Sequence, residues 1–175
     1  SVGNKNLITG AGSALTVAGT ALQAAEAAFM KQVDPNGKPI AGRPRRMLVP
    51  VALDTIASVL YTDTNIDNGG NTTPAGSSNR YRGRYAPTSS PYLDNTSITD
   101  QDGAALSGQS ATAWYLFMDP SVRAAMGVAF LNGQQRPTVE TEDAPFNVLG
   151  QQWRTYIDFG VGFEDPAAAQ KNAGA

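Results

Sequence analysis

The residues best equipped for chemistry in this sequence are charged, and they come in two clusters of opposite sign. "GRPRR" brings together Arg43, Arg45 and Arg46, whose planar guanidinium groups suit carboxylate or phosphate oxygens, and "ETED" brings together Glu140, Glu142 and Asp143. Each cluster reads either as a hydrated loop or as one half of a surface that pairs between copies of the chain. "RYRGRY", residues 80–85, interleaves Arg with Tyr. That composition fits single-stranded nucleic acid, with guanidinium on phosphate and ring on base, and it also fits an exposed strand with rings on one side and charges on the other.

Other candidates fall short of a site. "DTNIDNGG" opens like a calcium loop, with Asp63, Asn65 and Asp67 at alternate positions, but Asn68 stands where the tight turn needs Gly and Pro74 where the bidentate Glu belongs. "ITGAG" has two glycines of a dinucleotide fingerprint and no strand before it. Asp100 and Asp102 in "ITDQDG" read as a turn. No spacing forces two carboxylates together, so the sequence nominates no catalytic residue, no metal and no cofactor.

Composition narrows the classes further. The 175 residues contain no Cys and no His. Disulfides, thiol nucleophiles, Cys-type zinc sites and every Ser-His or Cys-His arrangement are thereby closed, and the expectation is a protein that is not an enzyme. Thirteen Lys plus Arg against fifteen Asp plus Glu give a net charge of -2, so no global field holds the chain on nucleic acid or an anionic membrane. No run reaches the ~18 apolar residues of a membrane helix, and the start "SVGNKNLITG" lacks the regions of a signal peptide. Ser1 in place of Met suggests a processed or truncated beginning.

The elements that must position these residues follow from periodicity. Residues 16–32, "TVAGTALQAAEAAFMKQ", place Ala18, Leu22, Ala25 and Phe29 on one helical stripe. Ser13 or Thr16 is a candidate cap, and "DPNG" a stop. Met47, Leu48 and Val49 suit a short buried strand, followed by a helix carrying Leu53, Ile56, Ala57 and Leu60. Residues 62–113 are rich in Asn, Gly, Ser, Thr and Pro, with "RYRGRYAP" and "PYLD" expected as strand pieces and residues 63–80 as the most mobile internal segment. "WYLFMDP", residues 114–120, packs four large apolar residues in succession, as a central strand with both faces covered does. "MGVAFLNG" reads as a second buried strand, "RPTVETE" as an edge strand, "QQWRTYIDFGVGFED" as strand, and "PAAAQKNAGA" as a mobile tail.

Taken in order, "ALQAAEAAFMKQVDPNGKPI", "PRRMLVPVALDTIASVLYTD", "AWYLFMDP", "VAFLNGQQRPTVE" and "WRTYIDFGVGFED...KNAGA" resemble the C-terminal half of tailed-bacteriophage major capsid proteins, of the type encoded fused behind a prohead protease. The resemblance runs from about Leu15 to the end, excluding most of residues 63–80. It implies an α+β fold of the Hong Kong 97 kind. Residues 1–43 and 137–175 would form a peripheral lobe with a spine helix at about 16–32, and residues 44–136 an axial lobe with a flexible loop at about 62–80. The family's N-arm and E-loop would precede the spine helix, where only about fifteen residues stand, so the chain resembles a fragment or trimmed form, and the protease half is absent.

The implied function is a head subunit that assembles with identical copies, as hexamers and pentamers, into an icosahedral shell around double-stranded DNA. Its implied partners are itself, scaffold and prohead protease during assembly, and DNA held non-specifically, with no membrane. Its implied places are the virion and, during assembly, the host cytoplasm. The alternatives are the shell of an encapsulin-type nanocompartment, a carbohydrate- or nucleic-acid-binding module, and a His-free hydrolase. Two expectations bear directly on the fold. The helix should pack on a sheet that includes part of residues 153–163. Trp114→Asp or Leu116→Asp should abolish soluble expression, because an unpaired buried charge costs several kcal/mol against a total stability of about 5–15; normal soluble yield of both variants would place the run at the surface.

Overall fold

The computed structural model describes residues 6–66, 77–143, 147 and 149–174. In chain order the elements are β1 (Leu7–Ile8), α1 (Thr20–Met30), β2 (Pro44–Pro50), α2 (Asp54–Thr62), β3 (Asn65–Ile66), β4 (Ser77–Ser78), β5 (Ala86–Ser90), β6 (Trp114–Met118), β7 (Met126–Phe130), β8 (Thr138–Asp143), β9 (Gln151–Tyr156), β10 (Phe159–Phe163) and β11 (Ala169–Asn172). The class is α+β, as expected. Two compact units result, one of Ser1–Ala125 with Asp165–Ala175 and one of Met126–Glu164. This partition cuts the chain at other points than the lobe boundaries implied by the resemblance.

The first unit is built on a mixed five-stranded sheet in the order β1-β11-β6-β2-β5. β6 is its centre, antiparallel to both β11 and β2. Trp114, Leu116 and Met118 point into the core with Met47 and Val49 of β2, while Tyr115 and Phe117 on the other face are only half-covered. Burying each large side chain contributes roughly 1.5–3 kcal/mol, and the indole N–H of Trp114 donates to the Ser13 carbonyl at 2.8 Å. β2 and β5 run parallel, which requires a crossover, and α2 lies within it. Leu22, Ala25 and Phe29 of α1 and Ala57 and Leu60 of α2 join the same core cluster.

α1 is shorter than the predicted 16–32, and neither Ser13 nor Thr16 caps it. The cap is Gly19 at φ 68, with no side-chain cap bond. Glycine is required there twice over: the left-handed φ disfavours L side chains, and a Cβ would sit 2.5 Å from the Tyr81 ring, whose hydroxyl donates to the Gly19 carbonyl. α1 packs beside β11. Residues 153–156 belong to β9 and 159–163 to β10, strands of the second unit that are not part of this five-stranded sheet.

Four further expectations are corrected. The tail is not mobile, because β11 is inserted between β1 and β6 with Gln170 and Asn172 fully buried. Residues 80–85 form a turn rather than a strand, and "PYLD" opens with a turn of 3-10 helix at Pro91–Leu93. The strand in "MGVAFLNG" exists but is largely exposed. Separately, at the described ends of the loop at 62–80, β3 pairs with β4, and the Asn79 amide donates to the Leu60 and Asp63 carbonyls at 2.9 Å, capping α2. Residues 67–76, which include Asp67, Asn68 and Pro74 of the calcium-like stretch, lie outside the described residues.

Two variants test this fold. Truncation after Asp165 removes β11 and opens β1 and β6 together, so cooperative thermal unfolding should be lost; a truncated chain that melts like the parent would mean the strand is dispensable. Gly19→Ala should lower stability by about 1–3 kcal/mol in urea unfolding, the cost of an L residue forced into a strained conformation against a ring; an unchanged midpoint would contradict the close approach of Tyr81.

Candidate functional site: an arginine-rimmed cleft and an uncovered ribbon

β2 begins with a bulge. Pro44 pairs with Met118 and Arg46 with Phe117, so Arg45 is the extra residue between them, and its side chain is freed from the alternation of the strand. Arg43 and Arg45 therefore line one cleft of about 620 Å³ with Glu26, Arg84, Tyr85, Met118, Asp119 and Val122. Arg46, exposed one residue further on, does not line it.

The acids in the cleft are already engaged. Glu26 Oε1 lies 3.1 Å from Arg84 Nη2, and the same guanidinium stands 5.8 Å from the centroid of the Tyr85 ring. Burial above all, and then the neighbouring Glu26 carboxylate, push the Tyr85 phenol well above its ordinary range, although its hydroxyl makes no well-formed hydrogen bond. Asp119 accepts from the Ser121 N–H at 3.0 Å and its hydroxyl at 2.8 Å. Those bonds, helped by the charges of Arg45 and Arg46, hold its carboxyl below the usual carboxylate range. Arg43 and Arg45 make no ion pair among the described residues. The arrangement suits a carboxylate or a phosphate.

Residues 80–85 prepare this cleft rather than a nucleic-acid platform. Tyr81 and Tyr85 are buried, their centroids 6.5 Å apart, so neither ring is free to stack on a base. Arg84 is spent on Glu26. Glu26 is the contributor that sequence reasoning missed; its signal was a lone Glu in an Ala-rich helix, while Tyr85 was singled out for a different role.

The acidic cluster sits in the second unit, on the hairpin of β8 and β9. Glu140 faces Arg154 across the ladder and pairs with it, and Tyr156 Oη donates to Glu140 Oε1 at 3.4 Å. Glu142 and Asp143 stand opposite Gln152 and Gln151 and have no cationic partner among the described residues.

β7 and β10 make the other ribbon of this unit, and its two faces differ sharply. Register pairs Phe159 with Phe130, Val161 with Val128 and Phe163 with Met126. Directly opposed residues share a face, so all six apolar side chains point the same way. Gly127, Ala129, Gly160 and Gly162 occupy the opposite face. Phe130 and Phe159 tilt against each other at 6.3 Å, yet Phe159 is 61%, Val161 66% and Phe163 91% exposed. The alternation in "FGVGF" was visible in the sequence; the exposure of its apolar residues was not.

The buried phenols yield a pH signature. Burial raises both Tyr81 and Tyr85, so the stability they contribute is complete below the ordinary phenol pKa of about 10 and is lost as pH rises through the folded values. Alkaline titration followed at 295 nm should show two phenols that ionise only together with loss of the near-ultraviolet circular dichroism. Ionisation of every tyrosine below that transition would contradict the burial.

Comparison with known proteins supplies the remaining evidence. Residues 1–172 match the model of the family described as phage capsid protein. No curated protein matches the sequence, and no solved structure matches it. No helix among the described residues is long and apolar enough to cross a membrane. The chain belongs to the phage capsid protein family, a structural family whose members self-assemble into the shell of the virion.

Proposed function

We propose that this chain is the major head subunit of a tailed phage with the Hong Kong 97 fold, of the type encoded behind a prohead protease, and that identical copies close into an icosahedral shell around double-stranded DNA. The observation that carries the reading is the family match across residues 1–172, and the ordered blocks from "ALQAAEAAFMKQ" to "KNAGA" support the finer type. On this reading copies group into hexamers and pentamers, scaffold and prohead protease act during assembly in the host cytoplasm, and DNA is held without sequence preference. The balance of -2 suits a wall that does not grip its contents tightly.

The charged clusters have a place in this reading as inter-subunit contacts. Arg43, Arg45 and Arg46 of one copy meet Glu140, Glu142 and Asp143 of the next, with Glu142 and Asp143 the carboxylates left over after Glu140 has taken Arg154. Each exposed pair contributes only about 0–1 kcal/mol and weakens with salt. A shell repeats the contact at every subunit, so small terms accumulate.

Expression of the full-length gene product with its assembly partners should give closed shells by electron microscopy, with nuclease-protected double-stranded DNA after packaging. Open oligomers alone, or shells loaded with protein in place of DNA, would overturn the reading. Arg43→Glu with Arg45→Glu should reduce shell yield, and adding Glu142→Arg with Asp143→Arg should restore it. Failure of the swap to rescue, with both proteins folded, would remove the clusters from the contact.

A further inference from the structure

We infer that the apolar face of the β7–β10 ribbon is a contact between two copies of the chain, ribbon face on ribbon face; this rests on the reading that copies assemble with one another. The six side chains of that face, Met126, Val128, Phe130, Phe159, Val161 and Phe163, leave no charge or hydrogen-bonding group on it. A two-stranded ribbon is marginal in water by itself, and a contiguous apolar face of this kind marks an interaction surface.

The complement of a wholly apolar face is another wholly apolar face. Elsewhere among the described residues the large exposed apolar side chains of the sheet unit, such as Leu7, Val51, Tyr92 and Val122, come from scattered elements and form no sheet face. On the β8–β9 hairpin the exposed Val139 and Trp153 share their face with Thr141 and Thr155, so among the described residues the wholly apolar face that matches is the ribbon of a second copy. Stacking two such faces is the ordinary way sheets pack, about 10 Å apart with side chains interleaved, and identical faces meeting give a closed two-fold contact.

Area supports the same occupant. From the fractional exposures of Met126, Val128, Phe159, Val161 and Phe163, each face offers on the order of 600 Å² of apolar surface, so two faces bury up to about 1,200 Å², the lower bound for a specific interface. The Gly and Ala side of the ribbon offers no comparable area and remains outside the contact.

The absence of cysteine makes the test direct. Val161→Cys places a thiol at the centre of the face, and Ala129→Cys places one on the opposite face of the same ribbon. Facing backbones about 10 Å apart lie beyond the reach of a disulfide, so the thiols are joined with a short bismaleimide: in the 175-residue chain, and again in shells of the full-length protein, Val161→Cys should become mainly cross-linked dimer and Ala129→Cys should remain mainly monomer. Val161→Asp should abolish the association seen by light scattering while leaving the near-ultraviolet circular dichroism of the sheet unit unchanged. Equal cross-linking of the two cysteine variants, or a Val161→Cys chain that stays monomeric where the parent associates, would overturn the inference, with the face then covered by some other part of the subunit or its neighbours. Shells that form without the Val161 cross-link would sink this contact and leave the shell reading standing; a cross-linked dimer from a full-length protein that never forms shells would do the reverse.

Discussion

Everything in the larger unit depends on β11 lying between β1 and β6. The Lys171 N–H donates to the Asn6 carbonyl at 2.8 Å and the Ala173 N–H to the Ile8 carbonyl at 2.9 Å, while Ala169–Asn172 pairs with β6 on the other side. Residues more than 160 positions apart are thus neighbours in one ladder, and the loop entropy of bringing them together must be met before the sheet closes. Gly174 seals the end: a Cβ there would overlap the backbone of Thr112. A sheet closed by its final strand is complete only when the last ten residues are available.

The same constraint fixes where the second unit enters and leaves. The chain departs after β6 and returns directly into β11, two strands that are hydrogen-bonded to each other. Arg123 and Asp165, just outside the two junctions, pair at 3.1 Å. Division of labour follows from burial. The sheet unit uses its apolar residues on itself, with Trp114, Leu116, Leu22 and Phe29 inaccessible. The ribbon unit shows every residue of β9 and β10 to solvent. In a family whose chains assemble with their own kind, that surplus apolar surface is where subunit contact has most to gain.

Legibility in the sequence tracked how far each signal was local. α2 and β2 were readable because Leu53, Ile56, Ala57 and Leu60 repeat at helical spacing after an apolar run, and β6 because four large apolar residues in succession admit little else. The tail was misread because its two core-facing side chains are Gln170 and Asn172, amides with no side-chain hydrogen bond among the described residues, so the alternation of a buried strand was disguised as polarity. "RYRGRY" was misread for the opposite reason: two tyrosines look like a surface until Gly19, some sixty residues earlier, proves to be the partner of one of them. The charged clusters were found, but Glu26, which decides that Arg84 is occupied and leaves Arg43 and Arg45 open, came only with the packing of α1.

The central claim is that one unit is closed on itself and the other is completed by neighbours. Hydrogen exchange measured amide by amide in the free subunit and in assembled shells tests it most directly. The account predicts strong protection of Trp114–Met118 and Ala169–Asn172 in both states, and fast exchange of Met126–Phe130 and Phe159–Phe163 in the free subunit that slows markedly on assembly. Ribbon amides already as protected in the free subunit as those of β6, or unchanged by assembly, would contradict it.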